Sequence, residues 1–213
     1  MTECVLFDMD GTLINSMPLW TTIAADFVKS QGYEPQGDLY GMMYGKTLEQ
    51  SSAEIRDLYN IPMTDDEALE AVISLVEEKY LEVQETAGAL ALIKELYDRK
   101  IKLAVVSACP YRLVVPTVKR LGFADYLDAV YYSTDKSTPE AFVTLSQKIG
   151  FDPENTWLFE DNLPAMVAAG KIGIKTATIY EKSSRYPAEE YKQKTDRFYT
   201  DFSDLDGILK DIL

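Results

Sequence analysis

Five short, largely apolar runs constrain this chain more than any other feature: residues 5–7, 103–107, 130–132, 157–159 and 176–179. Apart from the Thr-Ala-Thr-Ile of 176–179, none shows the two-residue alternation of a half-exposed strand. Continuous apolar strands belong to a parallel sheet covered on both faces. Helical signals separate them. Residues 89–97 carry apolar positions at helical spacing, and 111–121 do the same up to Gly122, with Pro116 expected to kink the helix. Thr138-Pro139-Glu140 supplies a cap followed by proline at the first helical position, and Gly150 closes that segment. A further helix over 163–169 stops at Gly170, and Ser203 with Asp206 opens a last amphipathic one reaching Leu213. This strand–helix rhythm predicts an α/β fold built on a doubly wound parallel sheet.

The rhythm is interrupted once. Between Met17 and Glu85 the patterns are helical (19–29, 48–58, 65–83) and no strand is expected. An all-helical insertion at 17–85 is therefore predicted, with the α/β core at 1–16 and 86–213. Glycine- and proline-rich linkers are missing, so two short crossings should join the parts. A chain of 213 residues has room for one core and one such insert. The Met and Tyr residues of 40–44 are expected in the core of the insert, with a specificity loop as the alternative.

Composition removes several chemistries. The chain has no histidine, which excludes histidine bases, histidine-assisted nucleophiles and histidine metal ligands together. Its two cysteines, Cys4 and Cys109, are far apart and in no metal-binding spacing; a reduced, cytoplasmic protein is expected, with Cys109 a small packing residue. A formal net charge of −14 opposes nucleic acid and anionic membranes as partners. No apolar run approaches membrane-spanning length and the first residues lack the basic-then-apolar pattern of a signal segment. No apolar seam is visible either, and a monomer is expected.

In an open parallel sheet, residues just beyond the carboxyl ends of the strands line the ligand crevice. Those positions hold Asp8 and Asp10 after the first run, Ser107 at the end of the second, Lys136 after the third, and Glu160-Asp161 after the fourth. Crowded carboxylates repel one another, so four acids at one edge imply a hard divalent cation, Mg²⁺ above all. A carboxylate set beside a bound electrophile can serve as a nucleophile.

These residues carry a resemblance. FDMDGTL, the serine of KLAVVSACP, the lysine of DKSTPEAF and the FEDN of TWLFEDNLPAMVAAGKIG resemble, in order and spacing, the four motifs of the haloacid dehalogenase superfamily. The branch is similar to the phosphatases and β-phosphoglucomutases that carry a helical cap after the first motif. The resemblance implies that Asp8 attacks phosphorus and carries an aspartyl-phosphate, while Asp10 protonates the leaving oxygen and then activates water. It implies Mg²⁺ held by Asp8, Asp10, Glu160 and Asp161, and a small phosphorylated substrate bound through Gly11, Thr12, Ser107, Ala108 and Lys136. Lys46, in the Gly45-Lys46-Thr47 turn, either meets an anionic group of the substrate or is a solvated surface lysine. The chain departs from the pattern after Lys136, where Ser137 stands in place of the family's usual proline.

Three functions follow as alternatives. The first is a Mg²⁺-dependent phosphatase acting on a sugar phosphate or similar monoester. The second is a phosphomutase of the β-phosphoglucomutase kind, disfavoured because the family's mutases carry a histidine on the first cap helix where this chain has Trp20. The third is a catalytically silent ligand-binding relative, opposed by the intact acids. Dehalogenases and phosphonoacetaldehyde hydrolases lack the second acid of the first motif, and Asp10 is present here.

Overall fold

Among the described residues, six strands, all parallel, form one sheet in which the chain order reverses beside the first strand. The computed structural model describes residues 1–43, 46–132 and 134–213. After β1 (Cys4–Phe7) come α1 (Met17–Trp20), α2 (Ile23–Ser30), α3 (Leu39–Met43), α4 (Leu48–Tyr59) and α5 (Asp65–Tyr80). Strands and helices then alternate: α6 (Ala89–Asp98), β2 (Lys102–Val106), α7 (Tyr111–Arg120), β3 (Ala129–Tyr131), α8 (Pro139–Ile149), β4 (Thr156–Glu160), α9 (Leu163–Gly170), β5 (Lys175–Ile179), α10 (Ala188–Lys194), β6 (Arg197–Tyr199) and α11 (Leu205–Ile212). The sheet order is β3-β2-β1-β4-β5-β6. Strand order therefore turns around between β1 and β4, the position where doubly wound sheets open a crevice at their carboxyl ends.

The register explains why the runs are continuously apolar. Leu6 sits between Ala104 and Leu158, and Phe7 between Val105 and Phe159. Successive side chains point to opposite faces, and both faces are covered. On one, Cys4, Leu6, Ala104 and Leu158 pack with Phe142 and Leu145 of α8 and Ala168 and Ala169 of α9. On the other, Phe7 stacks on Phe159 with ring centroids 5.2 Å apart, and Phe202 closes on both rings.

The chain divides into two compact units, Met1–Asn15 with Gln84–Leu213, and Ser16–Val83. The first holds the sheet and its helices. Its two crossing segments lie side by side: the Asn15 amide donates to Gln84 O at 3.0 Å and the Thr86 amide to Leu13 O at 2.9 Å. The second unit is helical. Capping boxes start α4 (Thr47 with Gln50) and α5 (Thr64 with Glu67), satisfying amides that a helix start leaves open. Phe27, Ile55, Ala68, Val72 and Val76 fill its interior.

Several expectations need correction. The helix expected over 19–29 is two, because Thr21 and Thr22 return their hydroxyls to the carbonyls of Pro18 and Leu19 and end α1. Residues Tyr40–Met43 are half-buried rather than core, and Tyr44 and Gly45 lie outside the described residues. Asp204, not Ser203, caps α11, its carboxylate accepting from the Gly207 amide at 3.1 Å. Strand β6 and helix α10 were not expected at all. The first has only three residues at a partly exposed edge, and the second, AEEYKQK, buries a single side chain.

Candidate active site

Strand β1 delivers its acid directly to the switch point. The Asp8 amide continues the ladder by donating to Phe159 O at 2.9 Å, so its side chain stands at the carboxyl end of β1 beside β4, only 5% exposed. The chain then turns back on itself. Gly11 adopts φ of +72°, a conformation open to glycine at little cost, and the amides of Thr12 and Ile14 both donate to Met9 O. This turn holds half-buried Asp10 two residues beyond Asp8, and buries Gly11 and Thr12. The Thr12 hydroxyl has no hydrogen-bond partner among the described residues.

Other strand ends contribute the remaining groups. Lys136 reaches in from beyond β3, pairing its Nζ with Asp8 Oδ1 and, at 2.6 Å, with Glu160 Oε2. Glu160 ends β4 and is 1% exposed; its other oxygen, Oε1, accepts from the amides of Asp161 (3.1 Å) and Asn162 (3.0 Å). Asn162 in turn caps α9 through the Ala165 amide at 3.2 Å. Carboxylate oxygens of Asp8, Glu160 and Asp161 all lie within 4.8 Å of one another. Buried Ser107 follows β2, held by its amide to Tyr131 O at 2.9 Å. Its hydroxyl oxygen accepts from the Cys109 amide at 3.1 Å, which leaves the O–H proton to be donated.

A family model described as haloacid dehalogenase-like hydrolase matches residues 5–179. The chain belongs to that family. A phosphorylated carbohydrates phosphatase of Thermotoga maritima is 26% identical over 188 residues, covering 81% of this chain and 82% of that protein. Hexitol phosphatase B of Escherichia coli K12 is 28% identical over 187 residues, covering 82% of each. The crystal structure of β-phosphoglucomutase from Clostridium difficile shares the fold, with a TM-score of 0.79 over 100% of this chain and 97% of that one, at 16% identity.

Electrostatics of this haloacid dehalogenase-like site point to a cation. Burial, followed by the charges of Glu160 and Asp10, pushes the Asp8 carboxyl up to about 8 despite the nearby ammonium. Burial, Glu160 and Asp8 likewise hold Asp161 well above the usual carboxylate range. Burial works against the charge on Lys136, yet Asp8 and Glu160 outweigh it and raise the lysine further, so it stays an ammonium. One ammonium among three close acids leaves an excess of negative charge. An all-oxygen, partly enclosed donor set of this kind suits a hard divalent ion, and the residues fit one.

The structure thus gathers Asp8, Lys136, Glu160 and Asp161 into one cluster, with Asp10, Gly11 and Thr12 in the adjoining turn. Ser107 follows the neighbouring strand β2, and Ala108 after it is exposed. Both oxygens of Glu160 are engaged, one with amides and one with Lys136, so it anchors the lysine besides being a candidate ligand. Lys46 belongs to the other unit, is exposed and pairs with Glu54. Asn162 was overlooked as a structural part of the site, although an Asn before Leu163-Pro164 is a recognisable helix cap.

Proposed function

We propose that this chain is a Mg²⁺-dependent phosphatase of small phosphorylated metabolites, sugar phosphates or similar monoesters, working through an aspartyl-phosphate. The observation that carries the reading is Lys136 bridging Asp8 and Glu160 within a cluster that also contains Asp161. Asp8, Glu160 and Asp161, with the Asp10 backbone carbonyl, would hold the ion, which would offset phosphoryl charge and keep Asp8 ionised. Lys136, charged throughout, steadies Asp8 and meets a phosphoryl oxygen. Ser107 donates its O–H to another, and the amides of the Gly11-Thr12 turn and Ala108 add further donors.

In the first half-reaction an Asp8 oxygen forms a bond to phosphorus as the bond to the leaving oxygen breaks, and Asp10 gives that oxygen its proton. In the second, Asp10 takes a proton from water as the water oxygen attacks phosphorus, and Asp8 is released. Two carboxylates two residues apart can divide the work because one faces the phosphorus and the other the proton. The chain lacks histidine, and a second carboxylate is a reasonable shuttle in its place. The named activities of the Thermotoga maritima and Escherichia coli relatives support a phosphorylated carbohydrate or polyol as substrate.

Hydrolysis of an aryl phosphate with Mg²⁺ tests the reading. Wild-type protein should release phosphate and Asp8→Asn should lose at least about a thousandfold in rate. Equal rates would remove Asp8 as the nucleophile. Phosphate release across a panel of phosphorylated metabolites, ranked by kcat/KM, then names the substrate. A mutase reading draws support from the shared β-phosphoglucomutase fold alone, and fold does not carry function. Isomerisation of a sugar monophosphate that requires a bisphosphate activator would favour it. For location and assembly we infer a cytoplasmic monomer, consistent with Cys4 and Cys109 forming no disulfide with each other; no helix among the described residues is long and apolar enough to cross a membrane.

A further inference from the structure

We propose that Tyr191, from a helix with no chemistry of its own, is a positioning residue that sets the aim of Asp161 toward a bound cation. The proposal rests on the reading of the acidic cluster as a Mg²⁺ site. Asp161 lies in the turn between β4 and α9, where the directions of its two flanking peptides decide where the carboxylate points. Glu160 Oε1 accepts from the N–H of the peptide before Asp161 (3.1 Å) and from that of the peptide after it (3.0 Å). The carbonyl of that second peptide, Asp161 O, accepts from the Tyr191 hydroxyl at 2.7 Å. The 161–162 peptide is therefore gripped at both ends, its N–H by Glu160 and its C=O by Tyr191.

The grip is itself supported. A phenol has one proton, and Tyr191 spends it on Asp161, so Ser184 at 2.6 Å must donate to the Tyr191 oxygen. The Tyr186 amide then donates to Ser184 Oγ at 3.2 Å. Each link in this Tyr186–Ser184–Tyr191–Asp161 chain polarises the next in the same direction. Tyr191 is fully buried, packed with Leu163 and Met166, its ring edge-on to Tyr180 at 5.4 Å and to Tyr186 at 6.4 Å. Six of the seven residues of α10 contribute no buried side chain. The helix buries the one side chain whose hydroxyl reaches the turn. Groups that orient metal ligands without touching the metal commonly alter affinity by about 10–100-fold when removed.

Calorimetric titration of Mg²⁺ alone into wild type, Tyr191→Phe, Ser184→Ala and Asp161→Asn tests this, with thermal unfolding of each in EDTA alongside. Tyr191→Phe keeps the ring and its packing and removes only the hydroxyl. Its Mg²⁺ dissociation constant should rise by about tenfold or more, and that of Ser184→Ala by about twofold, with Asp161→Asn losing binding. A Tyr191→Phe protein that melts lower in EDTA but binds Mg²⁺ as tightly as wild type would overturn the proposal, since the hydroxyl would then serve stability alone. If Tyr191→Phe does not fold, Ser184→Ala decides, and unchanged affinity there overturns it. Failure of wild type itself to bind Mg²⁺ would take down the metal reading first, and this proposal with it.

Discussion

Lys136 carries two buried carboxylates on one ammonium, and its removal exposes what that costs. In Lys136→Met, buried Asp8 would lose the ammonium that favours its charged form, while burial and the charge of Glu160 still push its carboxyl up. A protonated Asp8 is a far weaker nucleophile than its carboxylate, and the phosphate loses a fixed positive charge. The rate on an aryl phosphate should fall by about 10²–10³-fold at saturating Mg²⁺; a variant within tenfold of wild type would contradict the assigned role. Cys4 makes a second prediction of opposite character. At 1% exposure its thiol is pushed up to about 12, mainly by burial, so it should resist a thiol reagent at pH 8 in the native protein and react once unfolded. A folded-state value above the unfolded one means the neutral thiol contributes its stability fully below about pH 9, and that contribution is lost as pH rises toward 12. Mass spectrometry of labelled protein would assign the reactive cysteine. Each acid of the cluster was legible in the sequence because it ends a strand or directly follows one. Tyr191 was not: it lies 30 positions from Asp161, and only the fold joins them.

Elements show the same division between local and tertiary information. Strands β1, β2 and β4 were readable because burial on both faces leaves an unbroken apolar run, and edge strand β3 because its AVY is apolar, whereas β6 is an edge strand of mixed RFY composition. Helix starts carried by a side chain were readable too, as at Thr138, whereas the last helix, expected to open at Ser203, is capped by the adjacent Asp204. Gly88, which starts α6, illustrates a constraint from both levels. Its φ of +82° disfavours any side chain, and an added Cβ would run into the backbone carbonyl of Phe202. That segment cannot withdraw easily, because the Phe202 amide is bound to Ala87 O at 2.9 Å and its ring is part of the Phe7–Phe159 stack. Gly88→Ala should therefore cost about 2 kcal/mol or more, lowering Tm by roughly 4–8 °C for a chain of this size. Calorimetry showing a shift under about 1 °C would mean the loop relaxes freely.

At the scale of the whole molecule, the charge balance and the site pull in different directions. The chain carries 35 acids against 21 basic residues, a formal −14, while its proposed substrates are anions. A distant phosphate ester meets net repulsion, and the attraction of Lys136 is felt only at close range, since it is largely neutralised by Asp8 and Glu160. Salt shortens the reach of that repulsion from about 30 Å at 0.01 M to about 8 Å at 0.15 M, yet it barely screens contacts inside a buried cluster. Raising NaCl from 10 to 150 mM at saturating Mg²⁺ should accordingly raise kcat/KM for a dianionic monoester, by about two- to fivefold, with kcat nearly constant. An enzyme that drew its substrate in by long-range attraction would respond in the opposite sense. A fall in kcat/KM with salt would place the steering field at the crevice rather than over the whole surface, and would mean that the cation and Lys136 together outweigh the acids around them before the substrate arrives.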